Sequence, residues 1–321
     1  VEVLVKLKLS CLAIVGFLAF QFAGASDTQL DYVEATKGSA TITIDVYGSG
    51  DDEIQQAIDF ASPWGKVELY GESFNLAQTV SIESDGVTFD GRGAWLNGGL
   101  TVIPLQIGTT TPEHTFYVTV ENLKITGGTP YLIYLKSLDG CKLENIDLHG
   151  NAGYCDTSIL ADGVNSMLYE RVRVIGYANF GLHHISGNNV TVNKCYFNEY
   201  NPPYDGTAIR TEYGVNFQVI NSCFENGYRF VQFVGSWQSR LIGSYFEGGR
   251  DADVIINTLP AEVTGNWFNG NHTAKNAIWI IPYIHDVSIR NNFGHFYLEE
   301  TVKYDSKTSY NIFFEANIGM E

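Results

Sequence analysis

From residue 118 onward the apolar positions follow one returning phrase: a short alternating strand with one large inward-type residue, then a Gly- or Asn-rich break. It reads ENLKITG, ENIDLHG, ERVRVIG, NKCYFNE, NSCFENG, GSYFEGG, GNWFNGN and RNNFGHF. Aligned, these place Ile125, Leu148, Val174, Phe197, Phe224, Phe246, Phe268 and Phe293 in one column, at steps of 23, 26, 23, 27, 22, 22 and 25 residues. Two residues earlier the position is small or apolar (Leu123, Ile146, Val172, Cys195, Ser222, Ser244). The residue between is of exposed type (Lys124, Asp147, Arg173, Tyr196, Tyr245, Trp267). Period-two alternation means a strand with one buried face. A second short strand recurs at 131–135, 182–185, 208–211, 230–234 and 277–281, so each repeat holds at least two strands. Repeats of this period bury their apolar faces only by stacking on their neighbours.

The segments between equivalent strands are too long for hairpins, so equivalent strands stack in parallel, about 4.8 Å apart. The chain then winds into a single-stranded parallel β-helix of about ten coils, right-handed by the crossover rule. The fold class expected is all-β. Like residues come to lie above one another, and Asn122, Asn145, Asn266 and Asn291 are expected to form amide ladders near one corner. One short amphipathic helix, from about Asp51 to Ala61, carries Ile54, Ala57, Ile58 and Ala61 at helical spacing. Ser49 and Asp52 have the spacing of a capping box. The expected division is an export signal over 1–25, a lead-in over 26–48, the helix region over 49–65 and the β-helix over 66–321.

Composition narrows the partners. Of 321 residues, 45% are hydrophobic and 17% charged, with a net charge of −17, so neither a disordered chain nor a coiled coil is expected. Nucleic acid is excluded as a partner, because phosphate binding needs a basic face. An acidic polysaccharide is repelled in bulk, unless a local basic groove or a bound cation screens it. Lys6 and Lys8, an apolar run from Leu9 to Phe20 and Ala23-Gly24-Ala25 have the layout of a secretory signal, which implies a secreted or cell-surface protein with no membrane span after cleavage. Cys141, Cys155, Cys195 and Cys223 then remain, without zinc spacing. Cys141 and Cys155 are either a disulfide or a pair of buried thiols.

The segment GDDEIQQAIDFA, then KVELYGESFNLAQTVSIESDGVTFDGRG, then the repeated coils, resembles the pectate-lyase-like superfamily of right-handed parallel β-helices over residues 49–321. The resemblance implies that the helix at 51–61 caps the first coil. The superfamily spans lyases, hydrolases, epimerases, tailspikes and non-catalytic surface proteins. Its polygalacturonase and pectate-lyase catalytic signatures are absent, so no catalytic residue carries over by motif.

Stacking nominates three constellations. The outward column of the second strand runs Tyr134, Leu160, His183, Arg210, Gln232, Trp279 and Lys303, with one coil of unassigned register before Trp279. His183 and Arg210 fall on adjacent coils, with Glu212 on the same face. A base, a cation and a carboxylate together suit a lyase, which removes a proton alpha to a uronate carboxylate and stabilises the resulting charge. Asp156 and Asp205 lie in insertions two coils apart, beside Tyr154, Pro202, Pro203 and Tyr204. They suit an inverting glycosidase or a calcium ion, or serve as turn residues. Tyr196, Tyr245 and Trp267 share an outward column that would stack on sugar rings, and Gln232 and Trp279 add contacts. The expected partner is a polysaccharide, bound and cleaved by a lyase or glycoside hydrolase. The alternative is a non-catalytic adhesive or structural β-helix. The last coil, at 311–319, is expected either to shield its own edge or to pair end-on with another copy.

Overall fold

The computed structural model describes residues 31–109, 114–127, 130–151, 155–199, 205–271, 273–295, 297–304 and 308–319. The segment 1–25, expected to be an export signal, and Tyr154, Pro202, Pro203 and Tyr204 lie outside them.

Each coil is three-sided. A representative one comprises Phe180–Ile185, Asn188–Asn193 and Tyr196–Asn198. The first strand of every coil belongs to an 11-stranded sheet; the middle and short strands, together with the two lead-in strands Tyr32–Lys37 and Ala40–Asp45, form a 21-stranded sheet among the described residues. All neighbours from Lys66 onward pair in parallel, building a parallel β-solenoid of about ten turns. The middle strand is the side that sequence periodicity left uncounted.

The interior is a set of stacks. On the short strands Leu96, Ile125, Leu148, Val174, Phe197, Phe224, Phe246 and Phe268 lie in register. The four phenylalanine rings sit 5.3, 4.8 and 4.8 Å apart and nearly parallel. Phe293 leaves this column. Gly294 takes the place above Phe268, and Phe293 pairs with Trp267 on the outside, ring centroids 4.6 Å apart. The reason lies one residue earlier: the last phrase carries two asparagines, and the second of them, Asn292, takes the buried position.

The corner between middle and short strands bends through a left-handed residue. Asn122, Asn145, Asn221 and Asn291 hold φ between 49° and 55° there, and Arg171 and Lys194 adopt the same turn. Asparagine tolerates this region better than most residues because its side chain bonds locally. The expected single asparagine ladder is two ladders. The outer one joins Asp90, Asn122, Asn145 and Arg171 at 3.1, 3.0 and 2.6 Å. The inner one, one residue on, joins Ser222, Ser244, Asn266, Asn292 and Asn317. Asn266 therefore belongs with Asn292, not with Asn122.

At the amino-terminal end the lead-in forms an antiparallel hairpin, Tyr32–Lys37 with Ala40–Asp45, whose first strand also pairs with Lys66–Tyr70. The helix spans Asp51–Ala61 and buries Ile54, Ala57, Ile58 and Ala61. The capping box does not form. Gly50 is the N-cap, at φ 84°, with no side-chain cap hydrogen bond. A side chain there would press on Phe74 and Val46, 3.0 and 3.2 Å from its Cβ. All four described cysteines are free thiols. The nine-residue strand Lys142–Gly150 separates Cys141 from Cys155, far beyond the Cα distance of about 7 Å that a disulfide tolerates. Among the described residues, no helix is long and apolar enough to cross a membrane.

Candidate active site and glycan-binding faces

The outward column of the first-strand face has the expected order, and the unassigned coil is settled: Leu160, His183, Arg210, Gln232, Ile255, Trp279 and Lys303 pair rung by rung. Ile255 is buried, so it parts Trp279 from the polar cluster. Trp279 instead lies beneath Lys303, whose Nζ is 5.1 Å from its ring.

His183, Arg210 and Glu212 form one hydrogen-bonded group. His183 Nε2 is 3.1 Å from Glu212 Oε1, and Arg210 Nε donates to the same oxygen at 2.5 Å. Arg210 Nη1 donates to Gln232 Oε1 at 3.2 Å, and the guanidinium lies 5.8 Å from the Phe180 ring. Phe180 packs on His183 with centroids 4.5 Å apart. Phe180 was missed in the sequence, although it sits at the start of the same strand.

Burial pushes the His183 pKa below its ordinary value, outweighing the hydrogen bond and charge of Glu212. Burial pushes Glu212 up, but hydrogen bonds from Arg210 and His183 outweigh it and hold the carboxyl below its usual range. The arrangement is a neutral imidazole beside an ionised carboxylate. A carboxylate accepts only, so Nε2 carries the proton it donates and Nδ1 keeps its lone pair.

The aspartates precede strands two rungs apart, as expected. Asp156 is a turn residue: its carboxylate accepts from Thr157 Oγ1 at 3.1 Å and from Asn179 Nδ2, and its carbonyl accepts from Asn179 N and Phe180 N. Asp205 is exposed. Among the described residues no three His, Cys, Asp or Glu side chains converge as metal ligands.

The aromatic column lies on a different face, that of the short strands. Trp95, Lys124, Asp147, Arg173, Tyr196, Cys223, Tyr245, Trp267 and Phe293 succeed one another there. Trp267 is 53% exposed, presenting its ring to solvent. Tyr196 donates to Glu225 and Tyr245 to Glu247, each at 2.7 Å, which fixes both rings. Cys223 is no nucleophile, because burial, then Glu225 and Glu247, push its thiol up to about 12. A cleft of about 550 Å³ opens on this face, lined by His149, Gly150, Arg173, Ile175, Tyr196 and Asn198. His149, Ile175 and Asn198 form the next outward column, two residues along each phrase, and could have been read from that spacing.

No family model and no curated protein matches the sequence. Solved structures do match its fold. A surface adhesin of Streptococcus pneumoniae superposes with a TM-score of 0.61 at 14% identity, over 84% of this chain and 89% of the adhesin. An alginate lyase from a Paenibacillus species gives 0.63 at 15% identity, over 83% and 97%. A Geobacillus virus E2 protein gives 0.63 at 12% identity over 85% of this chain, which spans only 59% of that protein's length. The class these features define is a parallel β-solenoid. At these identities the likeness is one of fold, and function rests on the site.

Proposed function

We propose that this protein is an exported polysaccharide lyase, binding its substrate across the first-strand face with His183, Arg210 and Glu212 as the reactive group. The observation that carries the reading is Glu212 shared between His183 and Arg210 at 3.1 and 2.5 Å. Glu212 orients the imidazole, and Nδ1 takes the proton alpha to a uronate carboxylate. Arg210 Nη2, which makes no hydrogen bond to another described residue, faces the charge that develops as the proton leaves. Tyr134, two rungs before His183, and Gln232, the rung beyond Arg210, extend the surface along which a chain would lie. Hydrolysis by Asp156 and Asp205 is less well supported, because Asp156 is engaged in its own turn. The alginate lyase and the adhesin of similar fold are in keeping with an extracellular glycan-directed role. Within this reading residues 1–25 are the export signal, the helix caps the first coil, and the exposed Phe313, Phe314 and Ile318 are the surface for an end-on contact between copies.

The test is incubation with uronate and neutral polysaccharides, with calcium supplied, following unsaturated and reducing ends. Unsaturated product is expected, with His183→Ala and Arg210→Ala each slowing turnover at least ~100-fold. The second reading, a binding protein of the adhesin type, is favoured by the tyrosines held rigid on the short-strand face. It would prevail if no polysaccharide in the panel were cleaved while some were retained.

A further inference from the structure

We infer that the cleft on the short-strand face is a second glycan site, separate from the reactive group, and that it takes an anionic sugar unit through Arg173. The inference rests on the polysaccharide reading but not on catalysis.

Asp147 organises the cleft. Its carboxylate meets His149 Nε2 at 2.9 Å and Arg173 Nη1 at 3.3 Å. The guanidinium also lies over the Tyr196 ring, 5.8 Å from its centroid. Tyr196 is itself fixed, because its hydroxyl donates to Glu225 and accepts from Asn198 Nδ2 at 2.8 Å. Arg173 is thus positioned while Nε and Nη2 make no hydrogen bond to any other described residue, and its side chain is 49% exposed. Two coplanar donors on a fixed guanidinium match the two oxygens of a carboxylate or sulfate.

The surroundings favour a sugar as the carrier of that anion. Ile175 and the Tyr196 ring supply apolar walls for the C–H face of a pyranose, and Asn198 and His149 supply polar groups for hydroxyls. Lys124 lies on the rung beyond Asp147, 5.5 Å from the Trp95 ring, so two cations flank one carboxylate. In a chain of net charge −17, a polyanion needs such local cations, and Arg173 is the one that lines the cleft. Topology links the cleft to the reactive group. The strand of Arg173 turns through 176–179 into the strand of His183. A glycan crossing that turn would touch both faces.

The experiment is calorimetric titration of the Glu212→Gln protein, in which turnover is suppressed, with a uronate oligosaccharide, a sulfated oligosaccharide and a neutral gluco-oligosaccharide. Adding Arg173→Gln is expected to weaken uronate binding at least ~10-fold, and to leave any neutral binding unchanged. Raising salt should weaken binding more where Arg173 is present than where it is replaced. Ile175→Glu, which keeps the Asp147–Arg173 pair and adds a carboxylate to the cleft, should give the same loss with an unchanged melting temperature. Preference for the sulfated probe would name sulfate as the anion. Unchanged uronate and sulfate affinity in both variants, equal losses for the neutral probe, or no binding of either anionic probe would overturn the proposal. Cleavage without Arg173-dependent binding sinks only this site; Arg173-dependent binding without cleavage sinks only the catalytic reading.

Discussion

His183 and His184 are adjacent in the chain and opposite in fate. Alternation turns His183 outward to Glu212 and turns His184 into the core, where it is 1% exposed, edge-on to Phe217 at 5.5 Å, with Nε2 unpartnered. Burial pushes the His184 pKa down to about 3. The unfolded chain therefore takes up this proton first as pH falls. Stability is full above the ordinary value of 6.5 and declines between there and about 3, by on the order of 5 kcal/mol. His184→Phe should flatten this slope, measured as the difference between urea melts at pH 7 and pH 4. An equal slope in both proteins would exclude His184 as its source. For His183, the lowered pKa predicts that kcat/KM falls on the acid side with a midpoint below 6.5, as the base becomes protonated.

At the scale of the strand and its turn, the inner ladder shows how buried polar residues are tolerated. Asn292 Oδ1 accepts from Asn266 N and Nδ2 at 2.9 and 3.0 Å, while its own Nδ2 donates to Val263 O at 2.9 Å. Asn292→Ala would leave the Asn266 amide and the Val263 carbonyl without these partners. A loss of about 2–4 kcal/mol is expected in a denaturant melt. Asn292→Asp should not rescue it, since a carboxylate cannot donate to Val263. Most strands were legible because one face of each is apolar. The middle strand was not, because its alternation merges with the short strand across one left-handed residue. The Phe293 misplacement has the same root. Aromatic type suggested a core position, whereas register put Asn292 there and sent Phe293 to Trp267.

For the whole molecule, three sides per coil mean three outer faces, and chemistry must be assigned face by face. The sequence grouped His183, Arg210 and Glu212, since His183 and Arg210 hold the same position on adjacent rungs and Glu212 lies two residues along the strand of Arg210. It also set Tyr196, Tyr245 and Trp267 among contacts for the same glycan, although a turn separates the two sets. The column His149, Ile175 and Asn198 was periodic and legible, but that a cleft opens beside it was not, because a concavity depends on side-chain sizes across columns. Each coil meets only its neighbours, so cooperativity should vary along the axis. Among the described residues, strand Tyr310–Glu315 pairs on one side alone, and Phe313 and Phe314 are 62% and 45% exposed. Hydrogen exchange should be faster there than in the central strands 207–212 and 229–234, and uniform protection would argue against a stack of separable coils.

The sequence by itself determined the repeat, the parallel stacking and the columns, because a buried strand face must alternate and a repeated unit must bury itself on its own copies. Only the tertiary structure decided which face each column occupies, which asparagine enters the core, that the thiols stay apart, and where a cleft opens. Those outcomes depend on left-handed turns and on side-chain lengths across rungs, quantities that the order of residues along one strand does not contain.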